Sequence, residues 1–286
     1  MHACVSCEAR FEGPSWQCPV CGFTPEQNGY LRFAPGFGGD EGLLEESFDH
    51  LEDVEDGSFW FRARNALIAW ALQSHFPDAT SLLEVGCGTG YVAAGMRRRL
   101  PGLRVVAGDP FDAGVRVAQR RMPGAEVFQM DGRQIPFDAE FDLVGAFDVL
   151  EHVREHEVVV EQMRKAVVPG GGILVTVPQH RWLWTPLDDY AQHERRYDRR
   201  QLRGMLEAAG LEVVRMTSFV SLLLPLLLVS RLRQRGKPVD PRGEFDLAPA
   251  VDRSLERVMA VERRLIASGI SLPAGGSLLA IAVRRP

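Results

Sequence analysis

Short apolar runs ending on an acid or a glycine alternate along this chain with stretches whose apolar positions recur every three to four residues. Runs at 82–85, 103–108, 126–130, 141–147 and 172–177 read as buried strands, and the segments between them carry helix start and stop signals. Five such alternations predict an α/β domain built on a parallel sheet, with its ligand crevice at the carboxyl ends of the strands. The chemically interesting residues fall at those ends. The first strand runs into Gly86-Cys87-Gly88-Thr89-Gly90 and the second ends at Asp109-Pro110. The third ends in Asp131-Gly132-Arg133, and the fourth in Asp148-Val149-Leu150-Glu151-His152. Pro169-Gly170-Gly171 is expected to end the helix before the fifth strand.

The pattern continues on both sides. Ser58 is placed to cap a helix over 59–75, and Asp198 with Gln201 forms a capping-box start for a helix ending at Gly210. Residues 211–219 and 277–284 read as two last strands. Between them, 219–275 is an insertion. It opens with an almost pure Leu/Val run at 219–229, followed by Arg231, Arg233, Arg235 and Lys237, and then shows helical periodicity over 251–268. The greasy run is too short to span a bilayer. It fits a wall of a hydrophobic acceptor pocket, a homodimer face, or an interfacial membrane-surface contact with a basic flank. The connection 178–197 is long for a compact domain and therefore expected to be functional. Trp182, Trp184, Tyr190, His193 and Arg195 on it are candidate acceptor contacts.

At 286 residues, with 45% apolar and 25% charged residues and a net charge of −5, the chain has the composition of a soluble protein with one large domain and a small appendage. The appendage is defined by cysteine. Cys4-x2-Cys7 and Cys18-x2-Cys21 have zinc-ribbon spacing, and four thiolates make a closed tetrahedral structural Zn2+ site. Disulfides fit less well, since no secretory leader precedes Cys4 and a cytoplasmic location is expected. Redox or iron–sulfur use is the remaining reading. Cys87 reads as a small filler. The expected division is a ribbon over 1–33, an acidic linker over 34–57 and the α/β domain over 58–286. Residues 40–56 hold nine carboxylates and no lysine or arginine, which reads as a solvated face that repels phosphate backbones.

Gly86, Gly88 and Gly90 can take positive φ and leave main chain open to a ligand, while Asp109 stands where an acid accepts hydrogen bonds from both ribose hydroxyls. A dinucleotide fingerprint would require a glycine where Tyr91 stands. In this order the loop 84–90, Asp109, Asp131 and the strand end 141–152 resemble the class I S-adenosylmethionine-dependent methyltransferases, over about residues 55–286. The resemblance implies a Rossmann-like seven-stranded sheet, mostly parallel with the last strand antiparallel. It also implies S-adenosyl-L-methionine as cofactor: the glycine loop under its methionine and ribose, Asp109 on the ribose, and Asp131 near the adenine amino group. Glu84 would face the ammonium, and Phe147 and Asp148 would line the methionine side. Phe59-Trp60-Phe61-Arg62-Ala63-Arg64-Asn65 resembles the segment that roofs the cofactor in bacterial small-molecule methyltransferases, so Arg62 or Arg64 is a candidate for the cofactor carboxylate.

Methyl transfer from a sulfonium needs alignment and water exclusion, and a hydroxyl acceptor also benefits from a base or a metal. His152 and His193 are the candidate bases; His156 reads as surface. Asp148-x-x-Glu151-His152 with His193 also resembles an element of small-RNA 2′-O-methyltransferases and ubiquinone-pathway O-methyltransferases, some of which hold a divalent metal. Asp148 at the first position, and the lack of paired histidines after the glutamate, weigh against a catalytic metal here. The expectation is transfer to an oxygen or nitrogen of a small biosynthetic molecule with a hydrophobic or aromatic part. One alternative is a 23S rRNA base methyltransferase that uses its ribbon for RNA. Residues 1–30 carry one arginine and three glutamates, which disfavours nucleic acid. A non-catalytic zinc-ribbon adaptor retaining the fold is the other.

Overall fold

A computed structural model describes residues 1–37, 45–234 and 247–285, with the side chains of 45–47, 49, 50 and 232–234 excepted. Gly38, Gly39 and Asp40 of the linker, and the Arg233, Arg235 and Lys237 side chains of the basic flank, lie outside the described residues. The ribbon contributes β1 (His2–Ala3), β2 (Arg10–Phe11), β3 (Glu26–Gln27) and β4 (Leu31–Arg32). There follow α1 (Glu45–Glu55), α2 (Phe59–His75), β5 (Ser81–Val85), α3 (Tyr91–Arg99), β6 (Arg104–Asp109), α4 (Asp112–Arg121), β7 (Glu126–Gln129), β8 (Phe141–Phe147), α5 (His156–Ala166) and β9 (Val167–Pro178). A 3-10 turn (Arg181–Leu183) and α6 (Pro186–Tyr190) occupy the long connection. The chain closes with α7 (Arg199–Ala208), β10 (Leu211–Phe219), α8 (Leu224–Gln234), α9 (Pro249–Ala267) and β11 (Ser277–Arg284).

The large sheet has the order β10-β11-β9-β8-β5-β6-β7-β4-β3. Strands β5 to β9 are parallel, and β11 runs antiparallel between β9 and β10. After β5 the chain builds outward through β6 and β7, then returns to place β8 and β9 on the other side of β5. The connections therefore diverge at the carboxyl end of β5, which opens a crevice there. The faces are covered from both sides. Helices α5 and α7 bury Val159, Met163, Leu202 and Leu206 on one face; α2, α3, α4 and α9 bury Leu72, Met96, Val115 and Ile266 on the other.

Local chemistry sets the boundaries. The Ser58 hydroxyl accepts from the Trp60 N–H at 3.4 Å to start α2, and Asp198 and Gln201 form the expected reciprocal cap of α7. Pro169-Gly170-Gly171 departs from expectation: α5 ends at Ala166, and these residues lie inside β9 at a break in its register with β8. A side chain at Gly171 would meet the Asp142 carbonyl at 2.7 Å, so the irregularity needs a glycine there. The acidic segment also departs from a solvated linker. Phe48 of α1 is buried against Ala113 and Val117 of α4, and Glu55 is buried between Thr89 and Arg121.

The seven expected strands are joined by two more. Strand β4 pairs in parallel with β7, placing Arg32 opposite Gln129, and β3 pairs with β4, so the ribbon continues the sheet. Trp16 packs edge-on against Phe33, Phe128 and Phe137 to seal the junction. Among the described residues no helix is long and apolar enough to cross a membrane.

Candidate functional site

The glycine loop leaves β5 with φ of +69° at Gly86, +52° at Gly88 and +73° at Gly90. These three positions differ in what surrounds them. A Cβ at Gly86 would strike Val149 and one at Gly90 would strike Ala118 and Met122, whereas at Gly88 the nearest atom is a Phe48 ring carbon at 4.0 Å. Gly86 and Gly90 let the loop pack; Gly88 keeps an open face on the crevice. From the other side the Thr89 hydroxyl donates to Glu55 at 2.7 Å, and Arg121 donates to both residues.

Two buried carboxylates frame that opening. Asp109, at the end of β6, accepts the Gly88 N–H at 2.7 Å and the Phe111 N–H at 2.9 Å. Burial pushes it up to about 6, with those two N–H groups pulling the other way. Glu84 of β5 is pushed up to about 8 by burial, which the Arg64 charge opposes, and its Oε2 has no hydrogen-bond partner. A buried carboxylate oxygen left unpaired costs free energy and calls for a donor. Of the candidates around them, Pro110 gives its carbonyl to Gln129, and Asp131 accepts from Arg133 Nε at 2.9 Å. Cys87 is buried in the loop, with its thiol pushed up by burial, which suits a filler. A Cβ on Gly132 would stand 3.0 Å from Val85, so that turn lies tight on the end of β5.

Beyond β8, Phe147 is buried and Asp148 takes a left-handed conformation with φ of +58°. Its carboxylate pairs with Arg64, whose guanidinium lies 4.4 Å from the Trp60 ring centre. Arg62 is turned elsewhere, bonded to Asp252 and Glu256 of α9, because helical spacing puts it on the face opposite the sheet end. Of the two arginines offered by the sequence, only Arg64 reaches the crevice.

The acceptor-side candidates divide in the same way. His152 and His193 meet with ring centres 4.7 Å apart. His193 Nδ1 is 2.8 Å from Asp188 Oδ1, and Asp188 also accepts from Arg196 Nε at 2.7 Å and the Thr185 N–H at 2.7 Å. Those donors hold the Asp188 carboxyl well below the usual range in spite of its burial. Burial, with the neighbouring His193, pushes His152 down to about 3. Glu151 is buried with an unpartnered Oε2; burial, with the Asp148 charge, raises it well above the ordinary value. One potential ligand atom each from Glu151, His152 and His193 falls within 4.8 Å of the others.

Trp184 and the exposed Trp182 and Tyr190 stand on the same connection. Arg195 does not face the acceptor side: its guanidinium binds the Leu150, Val153 and Arg154 carbonyls and secures the turn after β8. His156 is no plain surface residue either, since its Nδ1 lies 2.8 Å from the Tyr197 hydroxyl. Sequence reasoning passed over Asp188, and noted Arg196 on the connection without giving it a role. The signal was an acid five residues before a candidate base, which one turn of α6 brings back onto it.

The amino-terminal cysteines converge as their spacing implied. Cys4 and Cys21 sulfurs are 3.6 Å apart and those of Cys7 and Cys18 are 3.7 Å apart. A tetrahedron with Zn–S bonds of about 2.3 Å has edges of about 3.8 Å. The cluster is compatible with a zinc ribbon.

A family model described as a methyltransferase domain matches residues 52–216. The chain belongs to that family. A protein of Mycolicibacterium smegmatis named as a probable S-adenosylmethionine-dependent methyltransferase is 30% identical over 171 residues, covering 57% of this chain and 63% of the relative. The ubiquinone biosynthesis O-methyltransferase of Idiomarina loihiensis is 28% identical over 166 residues, covering 49% of this chain and 64% of that enzyme. In both, the match spans less than two thirds of the relative's length. Among solved structures, a chain of the complex between the Haloferax volcanii Trm112 methyltransferase activator and a methyltransferase shares the fold. Its TM-score is 0.55 at 18% identity, covering 84% of this chain and 95% of that one.

Proposed function

We propose that this protein transfers the methyl group of S-adenosyl-L-methionine to an oxygen or nitrogen nucleophile on a small biosynthetic molecule with a hydrophobic or aromatic part. The observation that carries the reading is the unpartnered Glu84 oxygen beside the open face of Gly88 and the carboxylate of Asp109, all at one end of β5 and β6. An ammonium would pair Glu84, and ribose hydroxyls would donate to Asp109. The bound cofactor supplies a methyl group already activated on a sulfonium. The chain then has to hold the acceptor in line and exclude water.

The Asp188 carboxylate fixes the tautomer of His193, keeping its proton on Nδ1 and leaving Nε2 free to take a proton from a hydroxyl acceptor. His152, held neutral at pH 7 by its burial, packs beside it. The exposed Trp182 and Tyr190 and the apolar helix α8 supply a greasy wall for the acceptor, with Arg231 of α8 donating to the Thr185 hydroxyl on the same connection. A second reading of this cluster is a divalent cation held by Glu151, His152 and His193. The unpartnered Glu151 oxygen favours it, and Asp188 would orient His193 as an outer carboxylate does in such sites.

The deciding experiment is calorimetry with S-adenosylhomocysteine, followed by an acceptor screen with radiolabelled donor and a metal count by mass spectrometry. Micromolar binding and label transfer to a small hydroxylated or amino compound is the expected result. Label appearing only on ribosomal RNA would transfer the argument to the nucleic-acid reading, and absence of binding would leave the adaptor. Two metals per chain instead of one, falling to one in His193→Ala, would establish the cation at His193.

A further inference from the structure

We infer that the amino-terminal ribbon is a working part of the cofactor site, in which Arg32 and Gln129 are positioning residues and through which metal on the four cysteines is coupled to cofactor affinity. The inference rests on the proposed cofactor reading of the β5–β6 rim.

The contacts that carry it run from the ribbon's last strand to the turn after β6. Arg32 sits opposite Gln129 across the β4–β7 pairing, and the next N–H, from Phe33, donates to the Gln129 carbonyl at 2.8 Å. The wholly buried Gln129 carboxamide then spans two segments. Its Oε1 accepts the Ala34 N–H at 2.9 Å, and its Nε2 donates to the Ala34 carbonyl at 2.6 Å and the Pro110 carbonyl at 2.9 Å. Pro110 directly follows Asp109. Two residues on, Asp112 opens α4 and takes a forked pair from Arg32, Nε to Oδ1 at 3.2 Å and Nη2 to Oδ2 at 2.8 Å, with the Tyr30 hydroxyl donating at 2.6 Å. The ribbon therefore grips the turn Asp109–Asp112 by the Pro110 carbonyl at one end and by the side chain of the first residue of α4 at the other.

The exit of the ribbon reaches the other edge of the same groove. Phe37 packs edge-on against Phe111 at 5.5 Å, and the Arg133 guanidinium that holds Asp131 lies 5.5 Å from the Phe37 ring centre. Both turns expected to flank the adenosine thus lean on residues between 30 and 37. A ribbon of about thirty residues is too small to fold on a core of its own and draws on its metal for order. A ligand that needs the turn in place and a metal that keeps it in place must strengthen each other, and to the same degree.

The test uses the full-length protein with S-adenosylhomocysteine as the probe. Arg32→Ala removes the fork at the sheet edge and leaves the cysteines intact; Arg10→Ala removes a ribbon arginine that pairs instead with Asp138, away from the rim. Expected is a three- to tenfold weaker Kd for Arg32→Ala, a matching rise in KM for the donor with kcat held, one zinc still bound and an unchanged far-ultraviolet spectrum, while Arg10→Ala matches wild type. Saturating S-adenosylhomocysteine should also slow zinc release to a chromophoric chelator at least threefold. Wild-type Kd and KM in zinc-replete Arg32→Ala, together with chelation kinetics indifferent to the probe, would overturn the inference. Wild-type protein that fails to bind the probe would overturn the cofactor reading itself, and this inference with it.

Discussion

Replacing Glu84 by glutamine tests the cofactor reading through a proton. Burial pushes Glu84 up to about 8 in the free protein, so at pH 7 roughly nine in ten molecules carry it protonated. An ammonium against its unpartnered Oε2 favours the ionised form, and binding at pH 7 should release roughly half to most of a proton. Ionising the group at pH 7 costs about 1.4 kcal/mol, and an ion-paired hydrogen bond returns about 1.5–3 kcal/mol. The net loss in Glu84→Gln at that pH is therefore modest, at most on the order of tenfold in Kd. The pH dependence is the sharper readout. Between pH 6 and 7 the ionisation cost falls by about 1.4 kcal/mol, and with a gain of only about 1.5–3 kcal/mol from the ion pair the ratio of wild-type to variant affinity should rise about two- to sixfold. Calorimetry of S-adenosylhomocysteine binding in buffers of different ionisation heat gives the proton count directly. Stability moves the other way. A carboxylate whose folded pKa is raised destabilises the fold as pH rises from the unfolded value of about 4.3 to 8, so Glu84→Gln should be more resistant to urea at pH 8 than wild type. Equal proton release by the two proteins, with an affinity ratio flat in pH, would refute the placement of an ammonium at Glu84.

Asp109→Asn keeps the shape but turns an amide donor against the N–H of Gly88 or Phe111 and removes the charge offered to the ribose. Calorimetric Kd should weaken by about 10- to 100-fold, equivalent to about 1.5–3 kcal/mol. Because burial pushes Asp109 up to about 6, wild-type affinity should also fall as pH drops below 6, a limb that the variant lacks. Gly90→Ala combines a left-handed φ of +73° with Cβ contacts of 2.9 Å to Ala118 and Met122, and should cost about 2–4 kcal/mol in urea unfolding. Asp188→Asn should lower kcat by about 100-fold or more on a hydroxyl acceptor while S-adenosylhomocysteine binding holds; unchanged kcat would remove His193 from proton transfer.

Much of the site could be read from one dimension because its residues sit within a few positions of strand ends. Gly86, Gly88, Gly90 and Asp109 are local consequences of a strand turning into a helix, and periodicity alone places them on one rim. The caps of α2 and α7, and the extents of β8, β10 and β11, were equally local. Arg62 and Arg64 could not be told apart in this way. They differ by two positions on a helix, and only the packing of α2 between α3 and α9 decides which one meets Asp148 and which one meets Asp252. Asp188 behind His193, and Arg195 spent on three carbonyls, likewise depend on how a twenty-residue connection folds back over the sheet.

The chain's own pattern therefore determined an α/β layer order, a rim of glycines and acids at the strand ends and a four-cysteine cluster, since each rests on periods of two or three to four residues or on fixed short spacings. Tertiary structure alone decided that the ribbon continues the sheet through β4 and β7, and that Glu55 of the acidic helix α1 is buried against Thr89 and Arg121. The reason is distance along the chain. Arg32 and Asp112, or Glu55 and Arg121, are separated by more than sixty residues, and no local propensity or motif spacing records which distant surfaces will be buried together.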